Sequence, residues 1–309
     1  MAEIRPVLYS RELQKLLYPD NSFYKHSVQE TGVADNVESV EKPVQGKIRK
    51  AKSGTPNSLP LTVEKATDSK KSYNTQLVYC EPLLIDSQDE MMANYSKRQT
   101  KQQQQADEIN TKCADIAANA WSPTLASNII STTGSARATN VAGLTGTRKA
   151  VAKNDLLDCY NLALRMTVVG GKWYMMVTPD MYSDLLKIPE FVDYEKTGNA
   201  TALAAGIIGK ILSFEVMIRS TEESHAGIVY SSDKVKKAVS STLDATDQVA
   251  ALIWNEKLVC SAEGVLKTSV NANAPGYLGG TIIESWARFG ADIIRDDQKG
   301  VIALLETKV

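Results

Sequence analysis

Two histidines, four cysteines and a few adjacent carboxylates are the side chains with which this 309-residue chain would have to do chemistry. A metal centre or a nucleophilic site needs such groups at ligand or relay spacing. His26 and His225 each stand among polar residues, away from any cysteine or carboxylate cluster at that spacing. Cys80, Cys113, Cys159 and Cys260 lie far apart, and no pair has metal or redox spacing. Four buried or half-buried thiols in a reducing compartment are expected. A hydrolase of the serine-elbow type needs Gly-x-Ser-x-Gly, which does not occur. Gly143-Leu144-Thr145-Gly146-Thr147-Arg148-Lys149 has the glycines of a phosphate loop but lacks its Gly-Lys-Ser/Thr ending, and no strand is visible before it. Glu222–Glu223 and Asp296–Asp297 are neighbours in sequence, which suits turns and solvated edges better than two-metal or acid–base work. No catalytic, cofactor-binding or metal-binding residue is therefore assigned.

The bulk composition excludes several classes. Hydrophobic content of 43% with 23% charged residues describes a folded, soluble chain. With 35 basic and 36 acidic side chains, the whole-chain balance gives no sign of polyanion binding, and the small Lys47–Lys52 cluster reads as a solvated face. Residues 1–20 are charged and lack a continuous apolar region, so no signal peptide is expected. The most apolar stretch, Ala200–Met217, is interrupted by Gly206, Gly209, Lys210 and Glu215 and is no membrane span. The sequons at Asn94 and Asn199 would go unused in a cytoplasmic chain.

The elements that must position these side chains begin with an arm-like stretch, 1–36. Residues 37–82 alternate as strands do at Val40, Val44, Ile48, Leu59, Leu61, Val63, Leu77 and Tyr79, with a polar tip between Ile48 and Leu59 and a second polar stretch, Ala66–Ser72. So little apolar content predicts a projecting hairpin that packs on another chain, not a domain with its own core. A long helix follows over Ser87–Trp121, free of Pro and Gly and carrying the run Gln102–Gln105. Ser87 and Glu90 make a capping-box pattern, with Asp86 as a competing cap, and Ser122-Pro123 closes the helix. Its stripe runs through Met91, Met92, Tyr95, Gln99, Gln102, Ala106, Ile109, Cys113, Ile116, Ala117 and Ala120, apolar at both ends and weak in the middle. The alternative is two shorter helices broken near Lys101. An element reaching roughly 50 Å would span the whole subunit and suits a part built to meet neighbours.

Ser131–Val151 reads as loop. Asn154–Met166 is an amphipathic helix with Leu156, Leu157, Tyr160, Ala163 and Leu164 on its face. Trp173–Val177 is a strand, Thr178-Pro179 starts a helix through Met181, Tyr182, Leu185 and Leu186, and Gly209–Ile218 is a turn into a strand. Val249–Trp254 is apolar, and Glu256–Leu266 reads as partly helical. The tail offers strand pieces at Gly280–Arg288, Asp292–Arg295 and Val301–Glu306, with Asp296–Gly300 as a hairpin turn between the last two. Trp121, Trp254 and Trp286 are expected to be core or interface anchors, not platforms for bases.

Taken in order, these parts resemble the major capsid proteins of tailed bacteriophages with the HK97-like fold, over nearly the whole chain. The residues that carry the resemblance are Trp173–Tyr182 (a strand, then a Pro-started helix), Gly209–Val216 (a glycine leading into a strand), and Ala287–Arg295 with Gly300–Leu304 (the closing hairpin). The resemblance implies an α+β fold. It divides into an N-terminal arm (1–36), an extended β-hairpin loop (37–82), a peripheral domain (83–149 and 271–309) with a spine helix at 87–121, and an α/β axial domain (150–270). It implies a structural subunit, not an enzyme, that self-assembles into hexamers and pentamers of an icosahedral shell enclosing double-stranded DNA. Its site would be the virion, after assembly in the bacterial host cytoplasm. It also implies a separate scaffolding protein, a portal, decoration proteins as possible outer partners, nonspecific contact with packaged DNA, and no cofactor or membrane. Some members link a loop lysine to a neighbour's asparagine. Lys47, Lys50, Lys52, Asn271 and Asn273 match no such motif, and the bond is not predicted. An encapsulin-like compartment shell, or another phage virion protein, is the alternative reading.

Overall fold

The computed structural model describes residues 21–30, 37–45, 51, 53–54, 63, 65, 68–86, 97–141, 143–166, 170–188, 209–219, 228–272 and 274–309. Within them the Lys97–Trp121 helix is continuous through Lys101 and about 37 Å long. The expected capping box and the residues up to Ser96 lie outside the described residues. The glutamine-rich middle of the helix is not a solvent-facing gap. Gln105 is buried, takes a hydrogen bond from Ser285 Oγ at 2.8 Å and donates to Ile283 O at 3.3 Å. Gln102 and Ala106, expected on the inner stripe, are only half-buried. The buried stripe runs through Gln105, Ile109, Cys113, Ala117 and Trp121, at helical spacing. Four carbonyls at a helix end lack intrahelical partners. Here Lys236 reaches in from another element and donates to Asn119 O and Ser122 O, placing a cation at the negative end of the helix.

Two sheets flank this helix. The larger has the order Gly209–Ile211, Phe214–Ile218, Trp173–Val177, Gln248–Asn255, Val301–Leu305, Ile129–Ser131, with Val229–Tyr230 added at the start of Gln248–Asn255. Its central strands are buried on both faces, which is why Trp173–Val177, Gln248–Asn255 and Val301–Leu305 read as unbroken apolar runs. Tyr174, Met176, Ala250, Leu252 and Trp254 face the long helix and form one cluster with Phe23 and the helix's own Ile109, Cys113, Ala117 and Trp121. Met175, Val177, Ala251, Ile253, Ile302 and Leu304 face the opposite way. There Lys153–Arg165 brings Leu156, Cys159 and Ala163, and Pro179–Leu185 brings Met181 and Leu185. Thr178 caps the latter helix by accepting from Met181 N at 3.3 Å, with Pro179 at its first position as expected.

The second sheet is organised by one 13-residue strand, Thr281–Ile293. Val259–Glu263 and Lys267–Asn271 pair along one side of it, Gln76–Tyr79 and Leu83–Ile85 along the other. Residues 150–270 and 271–309 thus each give strands to both sheets.

Several expectations are corrected. Glu256–Leu266 is strand, not helix, at Val259–Glu263, because its register against Phe289–Ile293 buries Val259, Cys260, Ser261 and Ala262. Gly280–Arg288 and Asp292–Arg295 are not separate pieces but mostly one strand. The turn at Asp296–Gly300 does not close a hairpin: the strands it joins belong to different sheets. It is welded instead to the chain beyond the long helix, where Gln298 Oε1 accepts from Thr124 N and Leu125 N. The loop expected at Ser131–Val151 contains a small antiparallel pair, Ala136–Ala138 with Thr147–Lys149. A two-stranded hairpin base is present, Ser39–Val44 against Ser69–Asn74, and its second strand begins within the Ala66–Ser72 stretch read as polar; most of the expected tip and the strand at Leu59–Leu61 lie outside the described residues. Leu157 and Leu164 do not join the core face of Lys153–Arg165 and are exposed.

Candidate functional site

The side chains first considered for chemistry are placed in structural roles. His26 stacks on Tyr174 with ring centroids 4.3 Å apart, and its carbonyl accepts from Trp254 Nε1 at 2.8 Å. His225, Glu222 and Glu223 lie outside the described residues. Cys113, Cys159 and Cys260 are buried and Cys80 is half-buried, all as free thiols. Burial pushes Cys113 and Cys159 up to about 12, which leaves them without thiolate character at neutral pH. Among the described residues no group of three or more His, Cys, Asp or Glu side chains is arranged to hold a metal ion. Asp297 is engaged by Arg295 through two bonds of 2.8 and 2.7 Å, which hold its carboxyl down at about 2.

The glycine-rich Gly143–Lys149 stretch is a clamp on its own backbone. Gly143 and Gly146 have φ of 84° and 87°. Arg148 is fully buried and donates to the carbonyls of Thr145, Thr147, Ala245 and Asp247. A buried guanidinium whose two amino groups are both taken up by backbone carbonyls is not presented to a phosphate. Lys47, Lys50, Lys52 and Asn273 lie outside the described residues, and Asn271 is exposed at the end of Lys267–Asn271.

Two buried charge clusters escaped the sequence reading, because their members are distant along the chain. Arg219 pairs with Asp115 at 2.6 Å inside the core, with its guanidinium 5.3 Å above the Phe23 ring. Arg137 meets three carboxylates: Asp184 at 2.7 Å, Asp180 at 3.4 Å, and Glu306 in a close ion pair. Burial drives Glu306 up to about 7 against the opposing pull of Arg137. Both clusters sit where separate elements meet, which fits anchoring more than catalysis.

What the surface does offer is exposed apolar side chains on several separate elements. Leu77 and Tyr79 are exposed on Gln76–Tyr79, beside a groove of about 540 Å³ floored by Ile116, Asn119 and Ala120 of the long helix and walled by Ala238 and Val239. Leu157 and Leu164 form an outward stripe on Lys153–Arg165. Val265, Val270, Tyr277 and Leu278 surround the exposed Lys267–Asn271 strand. Leu278 is 100% exposed and holds φ of 47°, a left-handed backbone that a leucine seldom adopts. A strained, fully exposed leucine between Gly276 and Gly279 is a poor choice for an isolated chain and suits a contact surface.

No family model matches the sequence. No curated protein matches it either. The solved structures do. A structure from Mycobacterium phage Che8 aligns with 98% of this chain and 98% of its own at 15% identity, with a TM-score of 0.65. The capsid structure of the cyanophage P-SCSP1u aligns with 99% of this chain and 94% of its own at 15% identity and 0.67. The capsid of Ralstonia phage GP4 aligns with 99% and 96% at 12% identity and 0.67. The chain has an α+β fold that broadly resembles the HK97-like capsid architecture.

Proposed function

We propose that the chain is a major capsid protein, a structural subunit that self-assembles into hexamers and pentamers of an icosahedral shell around double-stranded DNA. The observation that carries this reading is the end-to-end fit to phage capsid structures. The alignments use 98–99% of this chain and 94–98% of the capsid-derived chains it matches. The long helix is the spine of the tile. The arm is 1–36, the extended loop 37–82, the peripheral domain 83–149 with 271–309, and the axial domain 150–270. The exposed apolar side chains at Leu77 and Tyr79, at Leu157 and Leu164, and around Leu278 lie on separate elements, as a subunit with several neighbours requires. The shell role is mechanical and needs no catalytic step or cofactor. A formal charge of −1 leaves contact with DNA local and nonspecific. Scaffolding protein, portal and decoration proteins are the expected partners, with assembly in the host cytoplasm and final residence in the virion. Sedimentation of the purified full chain, alone and with a scaffolding partner, tests this. Fast-sedimenting rings or closed particles are expected, and a monomer at every salt and protein concentration, with or without that partner, would contradict it.

A further inference from the structure

The ten residues Asn21–Glu30 run from the central core, where Phe23 and Tyr24 are buried, to the base of the projecting hairpin. At one end, Asn21 Nδ2 donates to Thr111 Oγ1 of the long helix at 3.0 Å, and Asn21 Oδ1 accepts from the buried Arg219. Phe23 is inserted edge-on against Trp121 and Trp254, and Tyr24 against Phe289. In the middle, His26 lies on Tyr174 and Ser27 Oγ meets Ser261 Oγ at 2.9 Å. Val28–Gln29 then pairs in parallel with Cys260–Ser261, and Glu30 N donates to Ser261 O.

At the other end, the Glu30 carboxylate crosses to the projecting hairpin. It accepts from Tyr73 OH at 2.7 Å and pairs with Lys42 at 2.9 Å, one residue from each hairpin strand. The hairpin is only two strands wide. Its other described attachments include Val40 and Tyr73 on Cys260 and Ala262, Lys71 on Asp292, Asp296 and the carbonyl of Ile293, Arg288 on Val37 and Thr75, and the run through Thr75 into Gln76–Tyr79, which pairs with Thr281–Ile293. Cys260 is thus shared: the 21–30 segment pairs with its backbone while the hairpin packs on its side chain.

We infer that Asn21–Glu30 is a strap that couples the core to the hairpin, so that undocking the strap releases the hairpin base from the body. The charge-assisted bonds at Glu30 are the coupling point, and the aromatic insertion of Phe23 is what holds the strap down.

Hydrogen–deuterium exchange on the purified full chain tests the coupling. Glu30→Gln is expected to speed exchange about tenfold at amides of Val37–Val44 and Ser69–Thr75, the scale for losing a charge-assisted bond. Gln248–Asn255 and Val301–Leu305 are expected to be unchanged. Lys70→Met is the control, since Lys70 pairs with Glu41 on the exposed hairpin surface itself. Phe23→Ala is expected to loosen the same amides although the ring partners of Phe23 are Tyr24, Trp121 and Trp254. Should Phe23→Ala fail to fold, Tyr73→Phe takes its place, with a smaller rise over the same residues. Exchange at the hairpin base in Glu30→Gln no faster than in Lys70→Met overturns the inference.

Discussion

Replacing Glu306 by glutamine should make the subunit more stable at pH 8 and leave it nearly unchanged at pH 5. Glu306 ends the Val301–Leu305 strand, its N–H donates to Val249 O, and its carboxylate is fully buried. Arg137 reaches it, but Arg137 is shared with Asp184 and Asp180. Asp184 has further donors in Val151 N and Lys187, and Asp180 in Asn140 N and Nδ2. Beyond the Arg137 ion pair, neither Glu306 oxygen has a hydrogen-bond partner among the described residues. Of the three carboxylates on Arg137, it is the fully buried Glu306 whose charged form burial disfavours, against the pull of Arg137 and Arg148. Its carboxyl is raised from 4.5 to about 7, chiefly by burial. The sign follows from proton uptake. Between pH 4.5 and 7 the folded state keeps a proton that the unfolded chain releases, so this group's contribution falls as pH rises through that window. The displacement corresponds to about 3 kcal/mol lost by pH 8. Glutamine removes the charge and leaves Arg137 its two aspartates. Urea unfolding followed by the fluorescence of the buried Trp121 and Trp254 measures the difference between the two proteins, in which other titrating groups cancel. A difference that is flat from pH 5 to 8, or a variant less stable than the parent at pH 8, would refute the reasoning. It would mean that the ion pair with Arg137 outweighs the cost of burial.

Three further outcomes are expected. Arg219→Met removes the buried cation paired with Asp115 and should cost about 3–5 kcal/mol in urea unfolding, with part recovered in the double variant Arg219→Met/Asp115→Asn. A thiol-directed maleimide at pH 8 should modify Cys80 slowly in the native chain and spare Cys113, Cys159 and Cys260, as read by intact mass. Rapid labelling of all four without denaturant would contradict their burial. Leu278→Asp should leave subunit stability within about 0.5 kcal/mol, since the side chain touches solvent, yet abolish particle formation in sedimentation. Normal particles from this variant would remove the Leu278 surface from the proposed contacts.

The parts of the fold legible in the sequence are those whose own apolar pattern decides their structure. Trp173–Val177 is buried on both faces and reads as a short apolar run, and Thr178-Pro179 announces the next helix through capping chemistry. The parts that were not legible depend on partners far along the chain. Ser69–Asn74 buries only Tyr73 and has no apolar period, and its strand exists because Ser39–Val44 supplies the ladder. Val259–Glu263 has no strong strand pattern until it lies against Phe289–Ile293. Gln105 looks like one of four equivalent glutamines, and only the carbonyl of Ile283 and the hydroxyl of Ser285 make it the buried one. The Arg137 cluster joins residues 137, 180, 184 and 306, a grouping that no local spacing could reveal. The exposed leucines at 157 and 164 show the converse. Their spacing is that of a core face, and the structure turns them outward, where the proposed shell assembly would cover them.

The central claim is that this chain is the tile of a closed shell, and direct imaging of particles formed by the full chain tests it most directly. The account predicts icosahedral shells whose reconstructed subunit places the Lys97–Trp121 helix in the shell layer, with Leu77 and Tyr79, Leu157 and Leu164, and Leu278 covered by neighbours. Particles without closed symmetry, or a shell in which those side chains all remain exposed, would contradict it.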